Sequence, residues 1–214
     1  MVNWISTSLN LRVTFPIDSM TRLNLVPVAN YEPTVVRDQR YEAAVLVPVI
    51  DRGEEDHLLF TKRADHLGEH PGQMSFPGGG IERGDDTILE TALREANEEI
   101  GLDKSEAEIV GRLDDIRTVT EYAVTPYVAH VPDRLYEPDE REVAEVAVLP
   151  LSGILDAQNY EYERRDHPYY GDIVIHYFHV DGYTVWGATA RILVQLLELA
   201  TPFEAPVRLE RSEF

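Results

Sequence analysis

The chain has 214 residues, of which 43% are hydrophobic and 27% charged, and it contains no cysteine. This composition is typical of a globular protein of one domain, and the lack of cysteine excludes disulfides, thiolate metal sites and cysteine catalysis. The formal net charge is −20, from 39 acidic and 19 basic residues, which disfavours nucleic acids and anionic membranes as partners.

The start of the chain lacks the charged head and compact apolar stretch of a secretory signal. No apolar run reaches the roughly 18–20 residues of a membrane span. We therefore expect a cytoplasmic protein. Residues 1–35 are predicted to form an N-terminal extension, partly disordered, ahead of a folded domain over residues 36–214. The excess of acidic residues over lysines favours a halophile, in which salt screens charge repulsion; an ordinary acidic protein is the alternative.

The first predicted elements are the two strands of a hairpin. Residues 41–50 form an apolar run of strand length, a turn follows around Gly53, and residues 57–63 make the return strand. Residues 64–75 are predicted to be a loop. The segment 76–80, Phe-Pro-Gly-Gly-Gly, is predicted to be a rigid and then flexible turn, because proline and glycine do not fit a regular helix.

A helix is predicted next, over residues 86–100. Its apolar residues recur at helical spacing, and the run Asp85-Asp86-Thr87 offers capping groups and negative charge at the positive end of the helix. Gly101 is a typical residue for the position that ends a helix.

The rest of the chain alternates short strands with a second helix. Strands are predicted at residues 108–115, 125–131, 145–149 and 173–180, and a helix at residues 188–199. This order predicts an α+β protein, an α/β/α sandwich with a mixed β-sheet between helices.

Three glutamates on the first predicted helix form the main candidate site. Glu95 shares one helix face with both Glu98 and Glu99, because residues three and four apart are neighbours on a helix. Like charges at this spacing repel, and a bound divalent cation turns the repulsion into ligation. Carboxylate clusters favour Mg²⁺ or Mn²⁺ over Zn²⁺. Taken alone, the cluster in so acidic a chain favours a solvated acidic helix face over a metal site.

The residues around the glutamates favour the metal site. Glycines 78–80 precede the helix, where exposed N–H groups can approach phosphate oxygens. The spacing closely resembles the Nudix box: glycine, five residues, glutamate, seven residues, Arg-Glu, an aliphatic residue, any residue, Glu-Glu, any residue, glycine, an aliphatic residue. The matching positions are Gly80, Arg94, Glu95, Glu98, Glu99 and Gly101. The first glutamate of the box is Asp86 here, and we expect Asp86 to pair with Arg94.

The resemblance implies the Nudix fold and a Nudix diphosphatase, which hydrolyses the anhydride of a nucleoside diphosphate derivative with Mg²⁺ or Mn²⁺. It implies Glu95 and Glu99 as the main metal ligands, Glu98 as a third ligand or helper, and a contribution from the Gly80 carbonyl. The predicted catalytic residues are Glu98, Glu95, Arg94 and Glu142. The general base is left open between Glu98, Glu142 and Glu145.

The segment before the box resembles the signature of the coenzyme A pyrophosphatase branch of the family. The similarity lies in residues 59–64 and 76–79 and in the tail at residues 185–191, although Gly68 stands where the signature has an arginine. The predicted substrate-binding residues are Arg63, Lys62, Gly78, Gly79 and Phe76. The implied reaction converts coenzyme A or a derivative to 3′,5′-ADP and 4′-phosphopantetheine.

Two alternatives to this function stay open. One is a Nudix pyrophosphatase acting on ADP-ribose or another nucleoside diphosphate derivative, and the other is a non-catalytic nucleotide-binding module. The intact glutamates argue against the non-catalytic module. The expected partner is a small-molecule nucleotide, without nucleic acid or membrane, and a homodimer is one alternative for the oligomeric state.

Overall fold

The structure is a computed structural model that describes residues 21–67, 71–118, 120–167 and 171–206. Gly68 and residues 1–20 of the predicted extension lie outside these ranges. The strands are β1 Tyr41–Asp51, β2 Asp56–Arg63, β3 Met74–Ser75, β4 Gly78–Gly80, β5 Glu108–Arg112, β6 Ile116–Arg117, β7 Tyr122–His130, β8 Val143–Pro150, β9 Tyr160–His167, β10 Gly171–Val180 and β11 Tyr183–Trp186. The α-helices are α1 Val26–Ala29, α2 Ile88–Ile100, α3 Leu151–Leu155 and α4 Gly187–Ala200, and a 3-10 helix spans Lys104–Glu106.

The central sheet is mixed and is built around β1. Strand β1 pairs antiparallel with β2, which confirms the predicted hairpin, and parallel with β7 along its length. The order β3-β2-β1-β7-β5 forms the body of the sheet; β4 also pairs with β1, β6 with β7, and β8 with β2.

Helices cover both faces of this sheet. Leu46 and Ile50 of β1 pack in one core cluster with Ala96 and Ile100 of α2. Val47, which points to the opposite face, belongs to a second cluster that contains the buried side of α4. The α/β/α sandwich predicted from the sequence is therefore confirmed.

Helix α2 is fixed at both ends by local chemistry. Its N-cap is Thr87, whose side chain accepts a hydrogen bond from the Glu90 N–H while the Glu90 carboxylate accepts one from the Thr87 N–H. The helix therefore begins two residues later than predicted. Gly101 adopts φ 65° and ends it, as predicted.

The glycine run is a strand and not the turn that the sequence predicted. Strand β4 pairs antiparallel with β1, with Gly78 opposite Val45 and Gly79 opposite Ala44. A Cβ atom on Gly78 would collide with the Ala44 carbonyl oxygen and with Val45. Glycine is required here by the close approach of the two backbones, which local sequence does not reveal.

A second, three-stranded sheet joins β9, β10 and β11 in the order β11-β10-β9. The sequence predicted only the middle strand of this sheet. Strand β9 was missed because Glu161, Glu163 and Arg165 are strongly polar, with Glu161 and Arg165 exposed to solvent.

The described part of the predicted N-terminal extension packs against the domain. The Asp56 N–H donates to the Thr21 carbonyl at 2.7 Å, and the Leu23 N–H donates to the Asp56 carboxylate at 2.7 Å. Val28 of α1 is buried in the cluster that contains α4. None of the helices in the described ranges is long and apolar enough to cross a membrane.

Candidate active site

Glu99 is the most deeply buried acid of the predicted cluster, with 6% of its surface exposed. Its carboxylate accepts a hydrogen bond from the Gly78 N–H at 3.3 Å, which ties α2 to β4. Burial raises the pKa of Glu99 to about 8, and the charges of Glu95 and Glu142 add to that rise. The Gly78 N–H and the Arg63 guanidinium act in the opposite direction.

Glu95 lies on the same helix face, largely buried against the glycine strand. A Cβ atom on Gly79 would collide with the Glu95 carboxylate, so the absence of a side chain there makes room for this acid. Burial raises the pKa of Glu95, and the Arg94 guanidinium only partly offsets the rise. Two buried carboxylates with raised pKa values thus lie side by side.

Arg94 connects the cluster to the loop ahead of the helix. Its Nη1 lies 3.0 Å from a carboxylate oxygen of Glu95 and 3.0 Å from one of Glu98. Its Nη2 donates to the Gly80 carbonyl at 3.0 Å, and its Nε donates to Asp85 at 3.1 Å. One guanidinium therefore orients two of the predicted ligands and holds the end of β4.

The acid that braces Arg94 is Asp85, so the predicted pairing of Asp86 with Arg94 is wrong. Asp85 also accepts hydrogen bonds from the Thr91 hydroxyl and the Glu82 N–H, both at 2.9 Å. The Arg94 guanidinium lowers the pKa of Asp85 to about 2. Asp86 instead donates its N–H to Glu90 at 2.7 Å. The late helix start leaves Asp86 in the capping turn and turns Asp85 toward the helix.

The sequence contains a signal for this arrangement. The pattern Thr87-x-x-Glu90 is a capping box, which predicts an N-cap at Thr87 and a helix that begins at Ile88. With the N-cap at Thr87, Asp86 precedes the helix, and either aspartate becomes a candidate partner for Arg94.

Two acids predicted as alternative bases differ in their positions. The exposed Glu142 lies close enough for its charge to raise the pKa values of both Glu95 and Glu99. Its backbone carbonyl accepts a hydrogen bond from the Ala64 N–H at 2.9 Å, next to the end of β2. Glu145 accepts a hydrogen bond from the Tyr183 hydroxyl. Glu142 therefore contributes to the electrostatics of the cluster.

The predicted substrate-binding residues lie in two different environments, some near the carboxylate cluster and one in the core. Arg63 ends β2 close enough to lower the pKa of Glu99, and Lys62 lies beside it, opposite Glu145 of β8. Phe76 is buried in the core and stacks on Phe60 with ring centroids 4.7 Å apart. The Phe76 side chain therefore packs in the core and does not reach the accessible surface, contrary to the prediction that it binds substrate.

The type of ligand at the carboxylate cluster suits a hard divalent cation, although the described residues do not form a complete ligand set. Glu95 and Glu99 offer carboxylate oxygens whose burial is costly without a compensating charge, and carboxylates are the ligands that Mg²⁺ and Mn²⁺ prefer. Among the described residues, no group of three or more His, Asp or Glu side chains is arranged to hold a metal ion. Arg94 bonds to two of the predicted ligands, Glu95 and Glu98, and to the Gly80 carbonyl.

The chain is similar to known proteins of one family. Residues 40–170 match the model of the NUDIX domain family. The chain is 40% identical over 187 residues to a protein of Enterobacter sp. (strain 638) named uncharacterized Nudix hydrolase NudL, covering 84% of this chain and 91% of that protein. The NudL of Citrobacter koseri is 38% identical over 186 residues, which cover 84% of this chain and 91% of that protein.

A solved structure is similar in fold. The crystal structure of a MutT/nudix family protein from Enterococcus faecalis aligns with a TM-score of 0.50 at 16% identity, covering 79% of this chain and 64% of that chain. The matching family model, these relatives and a site built on the box residues lead to one conclusion: the chain belongs to the Nudix hydrolase family.

Proposed function

We propose that this Nudix hydrolase cleaves the pyrophosphate bond of coenzyme A or a derivative, with Mg²⁺ or Mn²⁺, and gives 3′,5′-ADP and 4′-phosphopantetheine. Nudix hydrolases generally use divalent metal ions. The main support for hydrolysis is the buried carboxylate of Glu99, which lies beside Glu95 and within electrostatic reach of Glu142. Such a concentration of acids is costly for a fold unless a cation compensates it.

Each residue of the site has an assigned task in this proposal. Glu95 and Glu99 would hold the metal, with Glu98 or the Gly80 carbonyl as a further ligand. A bound divalent ion neutralises pyrophosphate charge and lowers the pKa of water. Glu98, whose side chain is 57% exposed, or Glu142 accepts the proton of the attacking water. Arg94 is a positioning residue, because it orients Glu95 and Glu98.

The assignment of coenzyme A as the substrate rests on residues at the end of β2. Arg63 and Lys62 bring positive charge next to the buried acids in a chain with only 19 basic residues among 214. The segment 59–64 resembles the branch signature, and its last residues lie beside Glu99. We assign Arg63 to contact with substrate phosphate, because an arginine fork matches phosphate oxygens.

One observation favours a second candidate substrate. Gly68 replaces an arginine of the branch signature, and loss of that cation favours substrates without the 3′-phosphate, such as ADP-ribose or another nucleoside diphosphate derivative. The chemistry at Glu95 and Glu99 is the same for either substrate.

A substrate panel tests the proposal. The purified chain is incubated with Mg²⁺ or Mn²⁺, in low and in molar salt, with coenzyme A, ADP-ribose, NADH and a diadenosine polyphosphate, and products are identified by mass spectrometry. We expect metal-dependent formation of 3′,5′-ADP and 4′-phosphopantetheine. Activity on ADP-ribose alone would reject coenzyme A as the substrate. Turnover of no substrate with either metal would favour the non-catalytic module.

A further inference from the structure

A cavity of about 340 Å³ opens beside β4, outside the carboxylate cluster. Residues 36, 37 and 39–42, which lead into β1, form a wall of the cavity, and Gly80, Ile81 and Tyr122 also line it. None of the predicted substrate-binding residues lines this cavity.

The cavity offers exposed flat and apolar surface. Tyr41 and Tyr122 lie with their ring centroids 5.1 Å apart and their planes inclined by 31°. Tyr41 is 43% exposed and Ile81 is 44% exposed, although most large apolar side chains among the described residues are buried. Exposed aromatic side chains are a usual stacking platform for a nucleobase.

The same wall is positively charged in a strongly acidic protein. Arg37 and Arg40 line the cavity together with one acid, Glu42. The Arg40 guanidinium lies 5.2 Å from the centre of the Tyr41 ring, and its ion pair with Glu121 is a loose 4.0 Å contact between exposed side chains. No hydrogen-bonding or ionic partner of the Arg37 side chain is found among the described residues. Arg37 therefore keeps its fork available for an anion, and Arg40 can join it by giving up its loose contact with Glu121.

Several bonds hold this wall in place. Arg117 binds the Asp38 carboxylate through Nε and Nη2 at 2.9–3.2 Å. The Val36 N–H donates to Asp115 at 2.9 Å, and the Tyr41 N–H donates to the Glu121 carbonyl at 3.1 Å. The cationic wall is therefore anchored at both ends, which reduces the ordering cost of binding a ligand.

Gly80 joins the cavity to the candidate active site. Its carbonyl accepts the hydrogen bond from Arg94, and a Cβ atom built on it would be 3.9 Å from the Tyr122 ring. Gly80 therefore borders both the cavity and the Arg94 side of the carboxylate cluster.

We propose that this cavity binds the phosphorylated nucleoside end of the substrate, with the base stacked on Tyr41 and Tyr122 and a ribose phosphate held by Arg37 and Arg40. The inference rests on the proposed function, because it assigns a subsite to that substrate. It also supplies a cationic site for the 3′-phosphate in a chain with glycine at position 68.

Binding of two product-like nucleotides tests the inference without requiring catalysis. Isothermal titration calorimetry with Mg²⁺ compares adenosine 3′,5′-bisphosphate with AMP, which lacks the 3′-phosphate but has the same base and 5′-phosphate. We expect Arg37→Gln and Arg40→Gln each to weaken binding of the bisphosphate by about tenfold to a hundredfold and to leave AMP binding nearly unchanged, because each removes a charge-assisted phosphate contact. Tyr41→Ala should weaken both nucleotides alike.

Arg52→Gln is the matched control. Arg52 follows the opposite end of β1 and bonds to Asp133 at 3.0 Å, so its removal changes the net charge equally without touching the cavity. The inference is overturned if the wild-type chain binds both nucleotides equally, or if the Arg37 and Arg40 variants bind like Arg52→Gln. If the wild-type chain hydrolyses coenzyme A, the proposed function is supported whatever the outcome of the nucleotide-binding experiment. Selective bisphosphate binding without any hydrolysis rejects the proposed function and keeps the subsite.

Discussion

Asp85 and Asp86 are identical neighbours, yet only Asp85 bonds to Arg94. Through Arg94, Asp85 supports the orientation of Glu95 and Glu98 and the position of the Gly80 carbonyl. Asp86 contributes its backbone N–H to the capping turn. At the scale of single residues, the carboxylate cluster therefore depends on an acid outside the family pattern.

This difference predicts unequal effects of the same substitution. Asp85→Asn should lower the free energy of unfolding by about 1.5–3 kcal/mol, because it removes charge-assisted hydrogen bonds from a partly buried arginine. Asp86→Asn should change it by less than about 0.5 kcal/mol. Urea unfolding is the suitable measurement, since urea does not screen charges. Equal effects of the two substitutions would contradict the assignment of Asp85.

Spacing in the sequence was enough to place the three glutamates on one helix face, because helical periodicity is local. The choice between Asp85 and Asp86 depends on where the helix begins, which the capping box of Thr87 and Glu90 decides. The burial that raises the pKa of Glu99 comes from packing against β4, and no local pattern contains that contact.

At the scale of elements, the site depends on the pairing of β4 with β1. Helix α2 and the β1–β2 hairpin were predictable because their apolar periods, caps and turn are encoded locally. Strand β4 was not predictable, because glycine disfavours strands and its partner lies more than thirty residues away in the sequence. The glycines bring the Gly78 N–H to Glu99 and clear space for Glu95.

The glycines of β4 should differ in their tolerance to alanine. Gly78→Ala should lower the free energy of unfolding by about 1–3 kcal/mol, because its Cβ atom meets the backbone of β1. Gly80→Ala is the control: the nearest heavy atom to a Cβ there is 3.9 Å away, so the change should be under about 0.5 kcal/mol. Urea melts of both variants provide the comparison. A Gly78→Ala variant as stable as Gly80→Ala would reject the close strand contact.

The second sheet contains a buried histidine with a pH signature. His176 is hydrogen-bonded to the Tyr160 hydroxyl at 2.7 Å, and burial, with a smaller effect of Arg191, lowers its pKa from 6.5 to about 4. The folded chain therefore binds this proton less readily than the unfolded chain. The stability linked to His176 is complete above pH 6.5 and is lost as the pH falls from 6.5 through 4.

The variant His176→Gln should flatten the acid side of the stability profile. The shift corresponds to about 3 kcal/mol between these two pH values, so the difference in slope between wild type and variant should be clear in urea melts at a series of pH values. His179→Gln is the control, because His179 is exposed in the same strand. A profile of His176→Gln parallel to that of the wild type would contradict the lowered pKa.

At the scale of the whole molecule, the dominant property is a net charge of −20. Repulsion among surface carboxylates destabilises the compact state, and salt shortens its range from about 10 Å at 0.1 M to about 3 Å at 1 M. We therefore expect the melting temperature to rise between low and molar NaCl. A parallel series with a neutral osmolyte in place of NaCl controls for the stabilisation that results when a solute is excluded from the protein surface. A melting temperature that stays constant or falls with NaCl would contradict adaptation to salt.

The proposed function requires the buried acids beside β4 for hydrolysis of coenzyme A, and the turnover of Glu99→Gln is the decisive measurement. The substitution keeps the size of the side chain and an acceptor for the Gly78 N–H but removes the charge. Glu140→Gln is the control, because Glu140 is an exposed acid close in sequence to Glu142. With Mg²⁺ in molar salt, wild type and Glu140→Gln should yield 3′,5′-ADP and 4′-phosphopantetheine. Glu99→Gln should be slower by at least about a hundredfold while it melts at or above the wild-type temperature. Full activity of Glu99→Gln on coenzyme A would rule out an essential role of the Glu99 carboxylate in hydrolysis.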